Sequence, residues 1–387
     1  MVYSQLEQCP AGQTTEVCDK RKAHKKAISS GQTGGLLRPL LPRAARPPIL
    51  PRGAEGEGVW RMTMLRTAIC ALGLCGGFAG AAQALETSAG QVRIEVMATG
   101  LDEPWSIGFL PDGRFVVTER DGRLTLFPAQ GGAPLAQISG LPQVAAVGQG
   151  GLLDVLIPQD FAQSRAVLLS YAVAQLGGGE GTAMGAGRLS EDGTSLEDFR
   201  QLFEMRPGGS GGRHFGSRMV EAPDGTIFLT LGDRGTPELA QDLARHEGSV
   251  VRLTRKGAAA GDGFGPAALP ELYSKGHRNP QGAALDASGR LWVVEHGAQG
   301  GDEVNLITAG RNYGWPVIAY GRDYGGGKIG TGTAAPGLEQ PVTYWDPSIA
   351  PSGLMIYSGR LFPEWQGDIF TGSLKYDYIS RLDPEAN

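Results

Sequence analysis

Three stretches of the chain repeat one pattern of apolar and polar positions. They are IGFLPDGRFVVTERDGRL from Ile107, MVEAPDGTIFLTLGDRG from Met219 and AALDASGRLWVVEHGAQG from Ala283. Each has an apolar run, a turn on Asp-Gly or Ser-Gly, and then an alternating strand of four to six residues. The turns fall at Asp112-Gly113, Asp224-Gly225 and Ser288-Gly289, and a turn dipeptide between two such runs predicts a hairpin. Looser versions lie at Gly151–Ala172 and Gly353–Leu374. Five units result, with starts roughly 45–70 residues apart, the spacing of a β-propeller whose blades are small antiparallel sheets. A β-sandwich or several small β domains would use similar turns. The repeat favours the propeller and explains why no linker breaks the chain after residue 84.

Composition agrees. Glycine supplies 61 of 387 residues and hydrophobic residues 41%. That is more than twice the usual share of glycine, which is about 7%, with enough apolar residues for a core. Residues 1–84 carry 11 basic and 5 acidic residues, whereas the remainder carries 24 and 35. So acidic a body argues against nucleic acid or an anionic membrane as its main partner. All four cysteines, Cys9, Cys18, Cys70 and Cys75, lie before residue 76. Disulfides, thiolate nucleophiles and cysteine metal sites are thereby excluded from the body.

Residues 64–84, MLRTAICALGLCGGFAGAAQA, have Arg66, a short apolar stretch and a small-x-small site at Ala82-Gln83-Ala84. This is the pattern of a signal peptide cleaved near Ala84/Leu85, and the stretch is shorter than the ~20 apolar residues of a membrane span. A periplasmic or secreted location without a stable membrane anchor follows. Residues 1–63 are basic and rich in proline, and are expected to be a non-native upstream extension or a disordered tail. Residues 85–387 form the expected catalytic domain.

The body holds few nucleotide or hydrolase signatures. Gly325, Gly327 and Gly330 satisfy G-x-G-x-x-G, but no apolar strand precedes them and no helix pattern follows, so the segment reads as a loop. There is no Walker A or H-E-x-x-H motif. Of four histidines after residue 84, His214 sits in the glycine-rich GGSGGRHFGSR just before a repeat strand. Functional groups are commonly displayed on such loops, and histidine can serve as a general base near neutral pH. GHRNPQG from Gly276 and EHGAQGGDEVN from Glu295 flank another repeat hairpin. Arg278 offers a carboxylate-binding fork, and Asp302, Glu303 and nearby carbonyls offer hard oxygen ligands for calcium. Each cluster alone could be a solvated loop.

Together these motifs resemble the soluble PQQ-dependent aldose sugar dehydrogenases, the soluble quinoprotein glucose dehydrogenase family. The resemblance runs in order through LDEPWSIGFLPDGRFVVTERDGRL, GQGGLLDVLIPQDF, GGRHFGSR, LTLGDRG, ELYSKGHRNPQG, EHGAQGGDEVNLITAGRNYGWP, SIAPSGLMIY and FPEWQGDIFTGSLK, from Leu101 to Lys375. It implies an all-β, six-bladed β-propeller, C-terminally incomplete here with about five blades visible. It also implies pyrroloquinoline quinone (PQQ) as cofactor, calcium (Ca2+) beside it, and oxidation of the anomeric hydroxyl of an aldose to the lactone. By resemblance, His214 is the general base and Asp233 orients it. Gln149, Arg278, Asn279 and Lys375 match cofactor contacts. Gly297 and Ala298 would give main-chain oxygens to the calcium at PQQ, with alanine where the family often has proline. Glu303 and Tyr313 match ligands of a second, structural calcium. The expected partners are an aldose and an external electron acceptor, with the chain a monomer or homodimer. Competing readings are a calcium-dependent propeller lactonase and a non-catalytic sugar- or protein-binding propeller.

Overall fold

The computed structural model describes residues 83–261 and 263–385. The expected upstream extension lies outside them, as does the leader up to Ala82. The expected cleavage point falls within the first described strand, Gln83–Thr87, which pairs with Gly90–Ile94. Among the described residues, helix is confined to one short α-helix, Phe161–Ser164, and 3-10 turns at Pro237–Gln241 and Pro363–Trp365. None is long and apolar enough to cross a membrane.

Each of the five sequence units forms an antiparallel sheet, giving a five-blade propeller arrangement. The first blade is built from Pro104–Phe109, Phe115–Glu119, Arg123–Phe127 and Ala136–Gln137. The second uses Leu152–Leu156, Ala166–Ala174, Glu180–Leu189 and Leu196–Glu204. The third has Met219–Glu221, Ile227–Leu231, Ser249–Leu253 and Leu272–Lys275, and the fourth Pro280–Leu285, Leu291–Glu295, Asp302–Ile307 and Thr343–Trp345. The fifth has three strands, Pro351–Ile356, Ile369–Ser373 and Tyr378–Leu382.

The turns explain the repeat. Asp112 accepts from the Arg114 N–H at 3.0 Å and Asp224 from the Thr226 N–H at 3.0 Å. In the third copy this task passes to Asp286, which accepts from the Ser288 N–H at 2.9 Å. The glycine after each turn is left-handed, with φ of 85°, 79° and 78° at Gly113, Gly225 and Gly289. Only glycine adopts that conformation without steric cost.

Alternating side chains serve opposite neighbours. In the first blade, Val116, Leu124 and Leu126 pack with Leu152, Val155 and Leu169 of the second. Phe115, Val117 and Phe127 face the other way, against Met97, Ala98 and Leu101. Further clusters join the second blade to the third, the third to the fourth and the fourth to the fifth. A strand buried on both faces loses its polar alternation, which is why FVVTE, IFLTL and LWVVE are buried throughout. Each hairpin also returns the end of its second strand beside the start of its first, as in the Pro280↔Glu295 and Pro351↔Ser373 pairs. The loops before first strands and after second strands therefore share one edge of their blade.

One connection crosses between blades. Arg311–Asn312 adds in parallel to Leu272–Lys275, extending the third sheet with residues that follow a strand of the fourth.

Candidate active site

His214 precedes the third blade's first strand, and Asp233 follows its second. They meet with His214 Nδ1 2.6 Å from Asp233 Oδ1. The histidine is left-handed, φ 54°, which costs a non-glycine residue roughly 1–3 kcal/mol. Its backbone N–H is held by Gln149 Oε1 at 2.7 Å. Gly232 makes the close approach possible, because a Cβ there would stand 2.0 Å from the His214 carbonyl oxygen.

Asp233 is fully buried and well partnered. Oδ1 also accepts from the Gly235 N–H at 2.7 Å, and Oδ2 accepts from the Trp315 indole N–H at 2.8 Å. Burial works to raise its carboxyl, but hydrogen bonding to His214, Gly235 and Trp315 outweighs that and keeps it below the usual range. At His214, burial is the largest influence and lowers the pKa below its ordinary value. Asp233 opposes this, while the positive charges of Arg278 and Arg213 add to it. With Nδ1 directed at Asp233, Nε2 is the nitrogen left for chemistry. The side chain keeps 11% of its surface exposed, enough for that edge to be reached.

Arg278 and Asn279 enter just before the fourth blade's first strand. The Asp233 N–H donates to the Arg278 carbonyl at 2.9 Å, and Asn279 Oδ1 accepts from the Gly216 N–H at 3.2 Å. Glu295 holds the backbone here, accepting from the Arg278 N–H at 2.7 Å and meeting His277 Nδ1 at 2.8 Å. The Arg278 guanidinium donates to the main-chain oxygens of His296 and Gly297, and lies 5.4 Å from the Trp315 ring centroid. Arg278 Nε and Asn279 Nδ2 are buried without a partner. Such N–H groups are costly unless an acceptor meets them.

Below them is a small cavity, about 20 Å³, lined by Arg278, Glu295, Gly297, Ala298, Glu303 and Tyr313 among others. Burial, then the nearby Glu295 and Asp302 charges, push the Glu303 carboxyl up to about 8. The Tyr313 phenol is used locally, donating to the Leu306 carbonyl at 2.7 Å and accepting from the Thr308 N–H at 2.9 Å. Among the described residues, no three His, Cys, Asp or Glu side chains converge on a common metal position.

Gln149, His214, Asp233, Arg278 and Asn279 thus form one connected cluster, and Gly297, Ala298, Glu303 and Tyr313 line the adjoining cavity. Lys375 follows the fifth blade's second strand at the corresponding edge. It is exposed, its ammonium 5.1 Å from the Tyr376 ring centroid, and no hydrogen bond joins it to the cluster. Two contributors were absent from the expected site. Glu295 ends an apolar strand, and Trp315 lies inside the NYGWP motif, whose presence was the available signal.

A nearly all-β propeller with a carboxylate-held histidine at a blade edge defines the class, and comparison with known proteins specifies it. Residues 101–387 match the Glucose / Sorbosone dehydrogenase family, and the chain belongs to that family of oxidoreductases. It is 44% identical over 299 residues to aldose sugar dehydrogenase YliI of Escherichia coli K12, covering 76% of this chain and 80% of that protein. A crystal structure of a glucose dehydrogenase is similar with TM-score 0.72 and 44% identity, covering 74% of this chain and 85% of the other. The PQQ-bound form of aldose sugar dehydrogenase from Streptomyces coelicolor superposes with TM-score 0.62 at 28% identity, covering 74% and 79%.

Proposed function

We propose that this chain is a PQQ-dependent aldose sugar dehydrogenase that oxidises the anomeric hydroxyl to the lactone. The observation that carries the reading is the buried His214–Asp233 pair beside two unpartnered donors, Arg278 Nε and Asn279 Nδ2. Those donors fit an anionic cofactor rich in acceptor oxygens, as PQQ is with its three carboxylates. PQQ, when bound, supplies the two-electron acceptor for the C1 hydride. His214 Nε2 takes the hydroxyl proton, Asp233 holds Nδ1 and stabilises the resulting imidazolium, and Gln149 fixes the histidine backbone. Lys375 is assigned a longer-range attraction to the cofactor's acidic edge.

Calcium belongs to the same reading. The donors are hard oxygens, the Gly297 and Ala298 carbonyls near the cofactor and Glu303 with Tyr313 at a second position, which suits that ion. A dication would oppose the burial and the Glu295 and Asp302 charges that together raise the Glu303 carboxyl. At Gly297 it would compete with the Arg278 guanidinium for one oxygen. Export to the periplasm follows from the leader pattern at residues 64–84, and an external acceptor completes the turnover.

The test is turnover of aldoses by purified protein with an artificial electron acceptor, with PQQ and calcium each supplied and withheld. Activity requiring both is expected. Equal turnover without PQQ would remove the mechanism.

A further inference from the structure

Trp315 is far from Asp233 in sequence and belongs to neither set of expected residues, yet it touches both. Its indole N–H meets Asp233 Oδ2 at 2.8 Å, and its ring lies under the Arg278 guanidinium. Its own backbone is fixed at both ends. The Trp315 N–H donates to the Gly276 carbonyl at 2.9 Å, and its carbonyl accepts from Gln241 Nε2 at 2.7 Å. The parallel strand Arg311–Asn312 delivers it to this place on the third blade.

We propose that Trp315 is a positioning residue for the base: its indole N–H pins one Asp233 oxygen so that the other holds His214 Nδ1. Asp233 is fully buried, and Trp315 is the donor that satisfies Oδ2. Without it that oxygen is a buried acceptor with no partner, a costly state that favours rotation of the carboxylate. A carboxylate rotated away from Nδ1 stabilises the imidazolium less, which lowers the pH at which His214 becomes neutral. The other charged or titratable groups acting on His214 are Arg278 and Arg213, and its own charge is felt by His296.

This inference rests on His214 being the base, so its main readout is independent of turnover. The imidazole 15N resonances of the full chain without PQQ are followed against pH, with His214 assigned from the His214→Gln spectrum. The native chain is expected to show the Nδ1-protonated tautomer. In Trp315→Phe that tautomer should lose its dominance and the midpoint should fall by about half a unit to one unit. With saturating PQQ and aldose, kcat should fall roughly tenfold, less than the 10²–10⁴-fold expected for removing a base. An unchanged His214 tautomer and midpoint would overturn the positioning role. PQQ-independent turnover by the native chain would instead defeat the mechanism while leaving the titration to judge Trp315. Should Trp315→Phe not fold, the native Trp315 indole N–H decides. Slow exchange and a shift that follows the His214 midpoint support the role, and the lack of both refutes it.

Discussion

The seam between the third and fourth blades and the rim of the fifth blade share one hairpin geometry but expose opposite chemistry. At the seam, Asp233, Arg278, Asn279 and Glu295 are buried and interlocked by short hydrogen bonds. On the fifth blade, Leu374, Tyr376, Tyr378 and Ile379 are exposed, and Lys375 stands among them. The same strand ends therefore give a preorganised pocket in one place and a solvated surface in the other. The third and fourth blades cover each other's faces, and Arg311–Asn312 crosses from one to the other. A charge at the seam is held in fixed geometry, whereas the exposed Lys375 ammonium is open to screening by salt.

That contrast can be broken first at the base. His214→Ala is expected to lower kcat by about 10²–10⁴-fold, since the proton leaves the hydroxyl in the transition state. PQQ binding, measured by titration of cofactor absorbance, should change little. Near-normal kcat at saturating PQQ and sugar would mean that another group takes the proton.

A smaller effect separates the two regions directly. Arg278→Ala removes a seam contact and should weaken PQQ binding roughly 10–100-fold, the scale of a charge-assisted hydrogen bond, with partial rescue by excess cofactor. Lys375→Ala should weaken it less than about tenfold, and only at low salt. Equal losses in both variants would erase the distinction between a fixed and a screened charge.

The smallest effect concerns pH. Burial, with Arg278 and Arg213, holds the His214 pKa below 6.5 despite Asp233. The neutral base is then available above its lowered pKa, so activity should persist to below pH 6.5 and fall as the imidazole gains a proton. Arg213→Gln removes one positive charge, so the acid limb should move upward by a few tenths of a unit. A shift toward lower pH would contradict the sign of that interaction.

Local chemistry was legible in the sequence, and long-range chemistry was not. The Asp-Gly turns could be read because each closes over two residues, as from Asp112 to Arg114. Strand polarity was harder to read where both faces are covered, as in LWVVE. His214, Asp233 and Asn279 could be named from motifs, and the structure makes them neighbours. Gln149, also named from the motifs, reaches His214 across 65 residues, a contact that no spacing rule reveals. The indole at Asp233 comes from 82 residues away, in the turn that follows a two-residue parallel strand with no repeat signature.

The crossing made by Arg311–Asn312 also orders events in time. Chains are synthesised from the N-terminus at about 5–20 residues per second. Asp233 therefore leaves the ribosome with its histidine several seconds before the indole 82 residues later can reach it. During that interval the third blade can form its hairpins, but its outermost parallel strand does not yet exist. The corner thus matures only after most of the fourth blade has been made, and its completion reports the assembly of two blades at once.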